Sequence, residues 1–126
     1  MILFVDDEER RMENCLEELA DRGFEVTIAT TVESAKEVMA GSTVEMMILD
    51  VMMPPGPYEN TQDGTRTGLV FLREIRDRYP TMPVILFTHV YLNAAELPTD
   101  PHTRMVQKSS VLSFELADLV EQTLNP

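Results

Sequence analysis

The sequence predicts an α/β domain, a parallel sheet with helices on both faces. Three observations carry this. Residues 2–5, 44–49 and 84–87 are short, nearly all-apolar runs, the composition of strands buried on both sides. They alternate with longer stretches whose apolar residues recur at helical spacing, and that order implies parallel strands joined by right-handed crossovers. Finally, the runs stop on polar groups: the first on Asp6 and Asp7, the next on Asp50, the next on Thr88, and a shorter one, 105–107, on Lys108. In open α/β sheets, ligands bind at the carboxyl edge of the strands. Asp50 is the acid around which the chain is organised.

Each element has its own signal. From Glu8 to Arg22, Met12, Cys15, Leu16, Leu19 and Ala20 form one helical stripe, and Gly23 stops the helix. Residues 24–29 alternate apolar and polar, as a strand does. Thr30 with Glu33 reads as a capping box opening a helix whose buried side is Val32, Ala35, Val38 and Met39, and Gly41 ends it. After Asp50, Pro54, Pro55, Gly56 and Pro57 exclude helix and central strand, so 52–67 is a long loop, expected to be mobile. A helix over 68–79 turns Leu69, Leu72, Ile75 and Tyr79 inward. Between Thr88 and the last strand only 93–97 has room for a helical turn, with Asn93 as cap and Glu96 as its third residue. Pro98 and Pro101 oppose anything longer. Ser109 or Ser110 is expected to cap a final helix that buries Leu112, Leu116, Leu119, Val120 and Leu124.

The chain has 126 residues, enough for one domain over 1–126 with one core. No apolar run approaches the roughly 18 residues needed to span a bilayer, and no basic segment precedes the first strand, so neither a membrane nor a signal peptide is expected. Cys15 has no partner for a disulfide and reads as a core residue of a reducing, cytoplasmic compartment. A net charge of −12, from 22 acids and 10 bases, argues against binding nucleic acid through a basic face.

On a parallel sheet, Asp6, Asp7 and Asp50 converge. Three ionised carboxylates that close repel, so one takes a proton or a cation joins them. Mg²⁺, a hard ion that keeps several waters beside one or two carboxylates, fits such a set. With Lys108 and the Thr88 hydroxyl nearby, the rim suits a phosphoryl group, which the Asp50 carboxylate can accept while cations neutralise the transferring oxygens.

These residues, namely Val5-Asp6-Asp7-Glu8, Leu49-Asp50 with Met53-Pro54, Gly68-Leu69, Thr88 and Lys108, resemble the receiver domains of two-component response regulators over essentially the full chain. The resemblance implies a flavodoxin-like three-layer α/β/α fold, its five parallel strands in the order 2-1-3-4-5. It implies that Asp50 is the phosphoacceptor, served by a phosphohistidine on a sensor histidine kinase or phosphotransfer protein, and that phosphorylation switches binding to a downstream protein or effector domain. Asp7 and Asp50 would ligate Mg²⁺ directly, Asp6 through water and Met52 by its backbone carbonyl. Thr88 and Lys108 would hold the phosphoryl oxygens. The domain would catalyse only its own phosphorylation and dephosphorylation, and so is not an enzyme in the usual sense.

The sequence departs from that family in several places. The loop after Asp50 is long for the family and could cover the site or dock a partner. His89 stands where a small residue is usual. Its spacing from His102 does not by itself make a metal site. Met105 replaces the switch aromatic on the last strand, and Ser109, in place of proline, follows Lys108. The fourth helix is reduced to a turn. Met52 and Val90, positions that tune hydrolysis in the family, are apolar and cannot orient a water, so the acyl phosphate is expected to be long-lived. Two other readings compete: a phosphorylation-independent receiver acting as an interaction module, and a phosphatase, which would usually need an acid where Met52 stands.

Overall fold

The computed structural model describes residues 1–126, the side chains of Glu9 and Arg11 excepted. Five strands form one sheet: β1 (Ile2–Val5), β2 (Val26–Ala29), β3 (Met46–Leu49), β4 (Val84–Thr88) and β5 (Thr103–Gln107). Every pairing is parallel, and the order is β2-β1-β3-β4-β5. Four helices cover it: α1 (Glu13–Asp21), α2 (Val32–Gly41), α3 (Thr67–Arg78) and α4 (Ser113–Leu124). The flavodoxin-like topology expected from the sequence is the one observed.

Strand pleating divides the core in two. Leu3, Val5, Met47, Leu49, Val84 and Leu86 point to one face and pack with Val32 and Ala35 of α2 and Leu69, Phe71, Leu72 and Ile75 of α3. Ile2, Phe4, Met46, Ile48, Ile85 and Phe87 point to the other, against Cys15 and Leu19 of α1 and Leu116, Ala117 and Val120 of α4. Phe4 and Phe87 meet edge to face at 6.4 Å. Strands β1, β3 and β4 are buried throughout. Their nearly continuous apolar runs are the consequence of having two helical layers to satisfy.

Several local expectations need correction. The first helix does not begin at Glu8: a 3₁₀ turn, Glu9–Met12, precedes α1. Ala20 lies on the exposed side of α1, not in the stripe. The capping box of α2 is Thr31 with Ser34, not Thr30 with Glu33. The Ser34 amide donates to Thr31 Oγ1 at 3.1 Å, and the Thr31 amide to Ser34 Oγ at 3.2 Å. Ser109 and Ser110 belong to a 3₁₀ turn, Lys108–Ser110, and do not cap α4. Glu115 takes that role, its Oε1 accepting from the Leu112 amide at 2.9 Å, and Leu112 itself is exposed. The expected turn at 93–97 is present. Glu96 N donates to both Asn93 O and Asn93 Oδ1 at 3.0 Å, and Asn93 N donates to Glu96 Oε1 at 3.1 Å.

The long loop after β3 folds back on itself. Met53 N donates to Gly64 O at 3.0 Å, and the Thr67 hydroxyl donates to Met53 O at 2.7 Å. Gly64, at φ +91°, passes so close that a Cβ would sit 2.6 Å from Met53 O. Further out, Gly56 lies against Glu33 of α2, and the Tyr58 hydroxyl bonds Glu74 of α3. Burial of the ring and the neighbouring Glu74 carboxylate raise the Tyr58 phenol above its ordinary value. The loop is thus fixed to α2 and α3, with its own Met53 and Thr61, and Thr67 at the start of α3, buried.

One close approach ties α3 to the rim. The Gly68 amide donates to Val51 O at 2.8 Å, and a Cβ on Gly68 would collide with the carbonyl oxygen of Asp50 and lie 2.6 Å from Val51 Cα. Backbone cannot yield as a flexible side chain would. Gly68→Ala is expected to lower unfolding stability by about 2–3 kcal/mol in denaturant titration, in the range of overpacking. Gly41→Ala meets nothing within 4 Å and is expected to be neutral or stabilising by up to about 1 kcal/mol. Equal effects at the two positions would contradict the contact.

Candidate functional site

The C-terminal ends of β1, β3 and β4, with the start of the turn after β5, deliver the polar groups to one edge. In-register parallel pairing of Val5 with Leu49 sets Asp6 beside Asp50. One carboxylate oxygen from each of Asp6, Asp7 and Asp50 lies within 4.8 Å of the others, the one such acidic or metal-ligating group among the described residues. Asp6 is fully buried, Asp50 nearly so, and Asp7 is exposed. The trio therefore has a dry side and a wet side, with Asp7 facing water.

Lys108 reaches back over the strand ends. Its Nζ donates to Asp6 Oδ2 at 2.6 Å and to Asp50 Oδ2 at 2.9 Å. The ammonium also sits 5.7 Å from the centre of the Phe87 ring. The other oxygens are held by backbone: Asp6 Oδ1 accepts from the Glu8 amide at 2.9 Å, and Asp50 Oδ1 from the Met52 amide at 3.1 Å. The Met52 bond brings the backbone of residue 52 against the Asp50 carboxylate.

Three acids share one lysine, and the electrostatics show the deficit of positive charge. Burial raises the Asp6 carboxyl above its usual value, against the Lys108 and Glu8 hydrogen bonds that act to lower it. Asp7 is raised by burial too, with the Asp50 charge adding to the effect. Burial alone would lower Lys108, but its bonds to Asp6 and Asp50 outweigh it and the ammonium is held above its ordinary value. Residual negative charge on hard oxygen donors, with the most exposed acid turned to solvent, fits a divalent cation. Lys108 occupies one oxygen each of Asp6 and Asp50, and a carboxylate offers about four lone-pair sites, so ligating capacity remains.

Thr88 is fully buried, and its Oγ1 accepts from the Val90 amide at 3.1 Å. Register pairs Thr88 with Gln107, one residue before Lys108, so hydroxyl and ammonium arrive on adjacent strand ends. His89 is exposed and lines a cavity of about 170 Å³ with Lys108, Glu8, Met12 and Cys15. His102 precedes β5, at the opposite edge of the sheet, and shares no site with His89. The two positions named for hydrolysis part company: Met52 is half exposed beside Asp50, whereas Val90 is buried in the core with Val84 and Leu86. Met105 packs against that same core.

Sequence reasoning missed two polar groups near this edge. Gln107 Nε2 donates to Val90 O at 2.9 Å, while its Oε1 is buried without a hydrogen-bond partner. Arg66, the residue before α3, pairs with Glu96 across thirty positions of sequence. Neither has a periodicity or motif that would have marked it.

Known proteins give the edge its context. Residues 2–97 match the family model of the response regulator receiver domain. The chain is 33% identical over 87 residues to a putative NtrX-like response regulator of Rickettsia bellii, covering 69% of this chain and 16% of that protein. It is 38% identical over 88 residues to the transcriptional regulatory protein CpxR of Klebsiella pneumoniae, covering 69% of this chain and 32% of that protein. The chain thus spans a third or less of these relatives' length. Among solved structures, the receiver domain of the hybrid histidine kinase CckA superposes with a TM-score of 0.71 at 25% identity, covering 98% of each chain. The receiver domain of NtrX from Brucella abortus gives 0.76 at 22% identity, also over 98% of each, a likeness of fold. With a sheet in the order 2-1-3-4-5, acids at its carboxyl edge and a family match over three quarters of its length, this chain belongs to the response regulator receiver domain family.

Proposed function

We propose that residues 1–126 act as a single phosphoacceptor receiver domain in which Asp50 takes a phosphoryl group. The observation that carries this is the bridge of Lys108 between Asp6 and Asp50 beside the exposed Asp7. An Asp50 oxygen attacks phosphorus while the bond from phosphorus to the donor nitrogen of a phosphohistidine breaks. The electron pair returns to the imidazole, and an aspartyl phosphate remains. A histidine kinase or phosphotransfer protein would supply the group, and a downstream protein or effector domain would read the result. Lys108 would move from carboxylate to phosphoryl oxygen, and Thr88 would donate its hydroxyl to another. Asp7, Asp50 and the Met52 carbonyl would hold Mg²⁺, with Asp6 acting through water. The bound ion would neutralise charge on the transferring oxygens. The reaction is one event on the domain's own side chain rather than turnover of a substrate. No helix among the described residues is long and apolar enough to cross a membrane.

Incubation with Mg²⁺ and acetyl phosphate or phosphoramidate is expected to add one phosphoryl group by intact mass, and Asp50→Asn is expected to abolish it. An unmodified wild-type protein would favour the phosphorylation-independent reading, for which His89, Met105 and Ser109 speak. Steady hydrolysis of phosphate monoesters would instead indicate a phosphatase. Met52→Asn places a carboxamide on the exposed side of Asp50, where it can orient water, and is expected to speed loss of the acyl phosphate several-fold. An unchanged rate would remove Met52 as a cause of longevity.

The raised Asp6 and Asp7 carboxyls also set a pH dependence. Between the ordinary carboxylate value of about 4 and their raised values, the folded state binds more protons than the unfolded, so Mg²⁺-free stability falls as pH rises through that window. Mg²⁺ selects the ionised acids, so its stabilising effect should be absent at the acid end and grow with pH. At a hundred times its Kd it should approach about 2.7 kcal/mol. Asp7→Asn should raise Mg²⁺-free stability at neutral pH, by less than about 1 kcal/mol for so exposed a charge, and remove the response to Mg²⁺. Unfolding midpoints that ignore Mg²⁺ at every pH would refute the cation site.

A further inference from the structure

The two loops that leave the site, one after β3 and one after β4, are joined by a single ion pair. Arg66 Nε donates to Glu96 Oε2 at 2.5 Å and Arg66 Nη2 to Glu96 Oε1 at 3.3 Å. Both side chains are largely shielded, at 19% and 17% exposure. Each partner is fixed to its own backbone. The Arg66 amide donates to Thr61 O at 2.8 Å, its guanidinium to Thr65 O at 3.0 Å, and its carbonyl accepts from Leu69 and Val70 in the first turn of α3. Glu96 exchanges bonds with Asn93 within the 93–97 turn. Arg66 holds the Glu96 carboxyl below its ordinary value, so the pair is intact at neutral pH.

The segment from 89 to 97 is therefore anchored at both ends. At the near end, the Val90 amide donates to Thr88 Oγ1 and the Val90 carbonyl accepts from Gln107 Nε2. At the far end stands Arg66. The Thr88 hydroxyl oxygen already accepts from the Val90 amide, so any shift of that hydroxyl toward a phosphoryl group on Asp50 pulls on the backbone after it. The insertion loop, through Arg66, resists that movement.

We propose that Arg66 and Glu96 are positioning residues whose ion pair holds the segment after Thr88 in its unphosphorylated place and opens when Thr88 engages the phosphoryl group. This rests on the phosphoacceptor reading of Asp50. By linkage, whatever weakens the pair favours the phosphorylated geometry, and so tightens binding of a phosphoryl mimic.

The test is beryllofluoride binding with Mg²⁺ to the whole chain: wild type, Arg66→Gln, Glu96→Gln, the double variant and Arg66→Lys. Each glutamine variant is expected to bind about threefold tighter, the scale of a partly exposed pair. The double variant should bind no tighter than either single one, and Arg66→Lys should fall between wild type and Arg66→Gln. Unfolding midpoints, measured separately, register any purely structural loss, which would not tighten the mimic. Unchanged or weaker binding in the variants, or effects that add in the double variant, would overturn the proposal. Wild-type protein that takes up no beryllofluoride would instead overturn the phosphoacceptor reading, and this inference with it.

Discussion

Everything at the rim depends on one compensated repulsion. Parallel pairing of β1 with β3 forces Asp6 and Asp50 side by side at the mouth of a buried sheet, and Lys108 is the cation that joins them. Neither acid can leave, because each terminates a strand whose other residues fill both halves of the core. The burial that raises Asp6 is the same burial that holds the sheet together. A site that is short of positive charge is stable only relative to what it can bind. Such a site suits a cation and, through the cation and Lys108, the anion proposed for it.

The surrounding loops meet this centre through backbone. Gly68 lets α3 touch the carbonyl of Asp50, and Gly64 lets the long loop close on Met53. What is gained is a loop that links α2, α3 and the 93–97 turn while Asp7 stays exposed. Tyr58 with Glu74 and Arg66 with Glu96 are its attachments, and Lys36 with Glu74 ties α2 to α3 beside it. Through Arg66 it is one ion pair away from the segment that follows Thr88.

The sheet and the rim were legible because their signals are repeated: four apolar runs each end on a polar group, and a parallel sheet can place those ends only together, while the strand order followed from the family resemblance. Lys108 lies outside the matched span of 2–97, yet the strand that ends beside it marked it. Caps were less legible, since Thr30 and Thr31 both satisfy a cap's chemistry and only geometry selects Thr31. At the last helix, the serines after Lys108 were drawn into a 3₁₀ turn, and Glu115 took over the capping. The path of 52–67 was not legible at all. Its fixings are single contacts, Thr67 to Met53 O and Arg66 to Glu96, with no period, and a Pro-rich composition says only that the chain turns. The burial of Val90 was not legible either, as position relative to Thr88 does not reveal which way a side chain faces.

The most direct measurement of the central claim is a crystal structure of the chain with Mg²⁺ and beryllofluoride. The account predicts beryllium on an Asp50 oxygen and Mg²⁺ between Asp7, Asp50 and the Met52 carbonyl. Lys108 and Thr88 should each contact a fluorine. A saturated crystal with Asp50 unmodified and Lys108 still bridging Asp6 and Asp50 would contradict it.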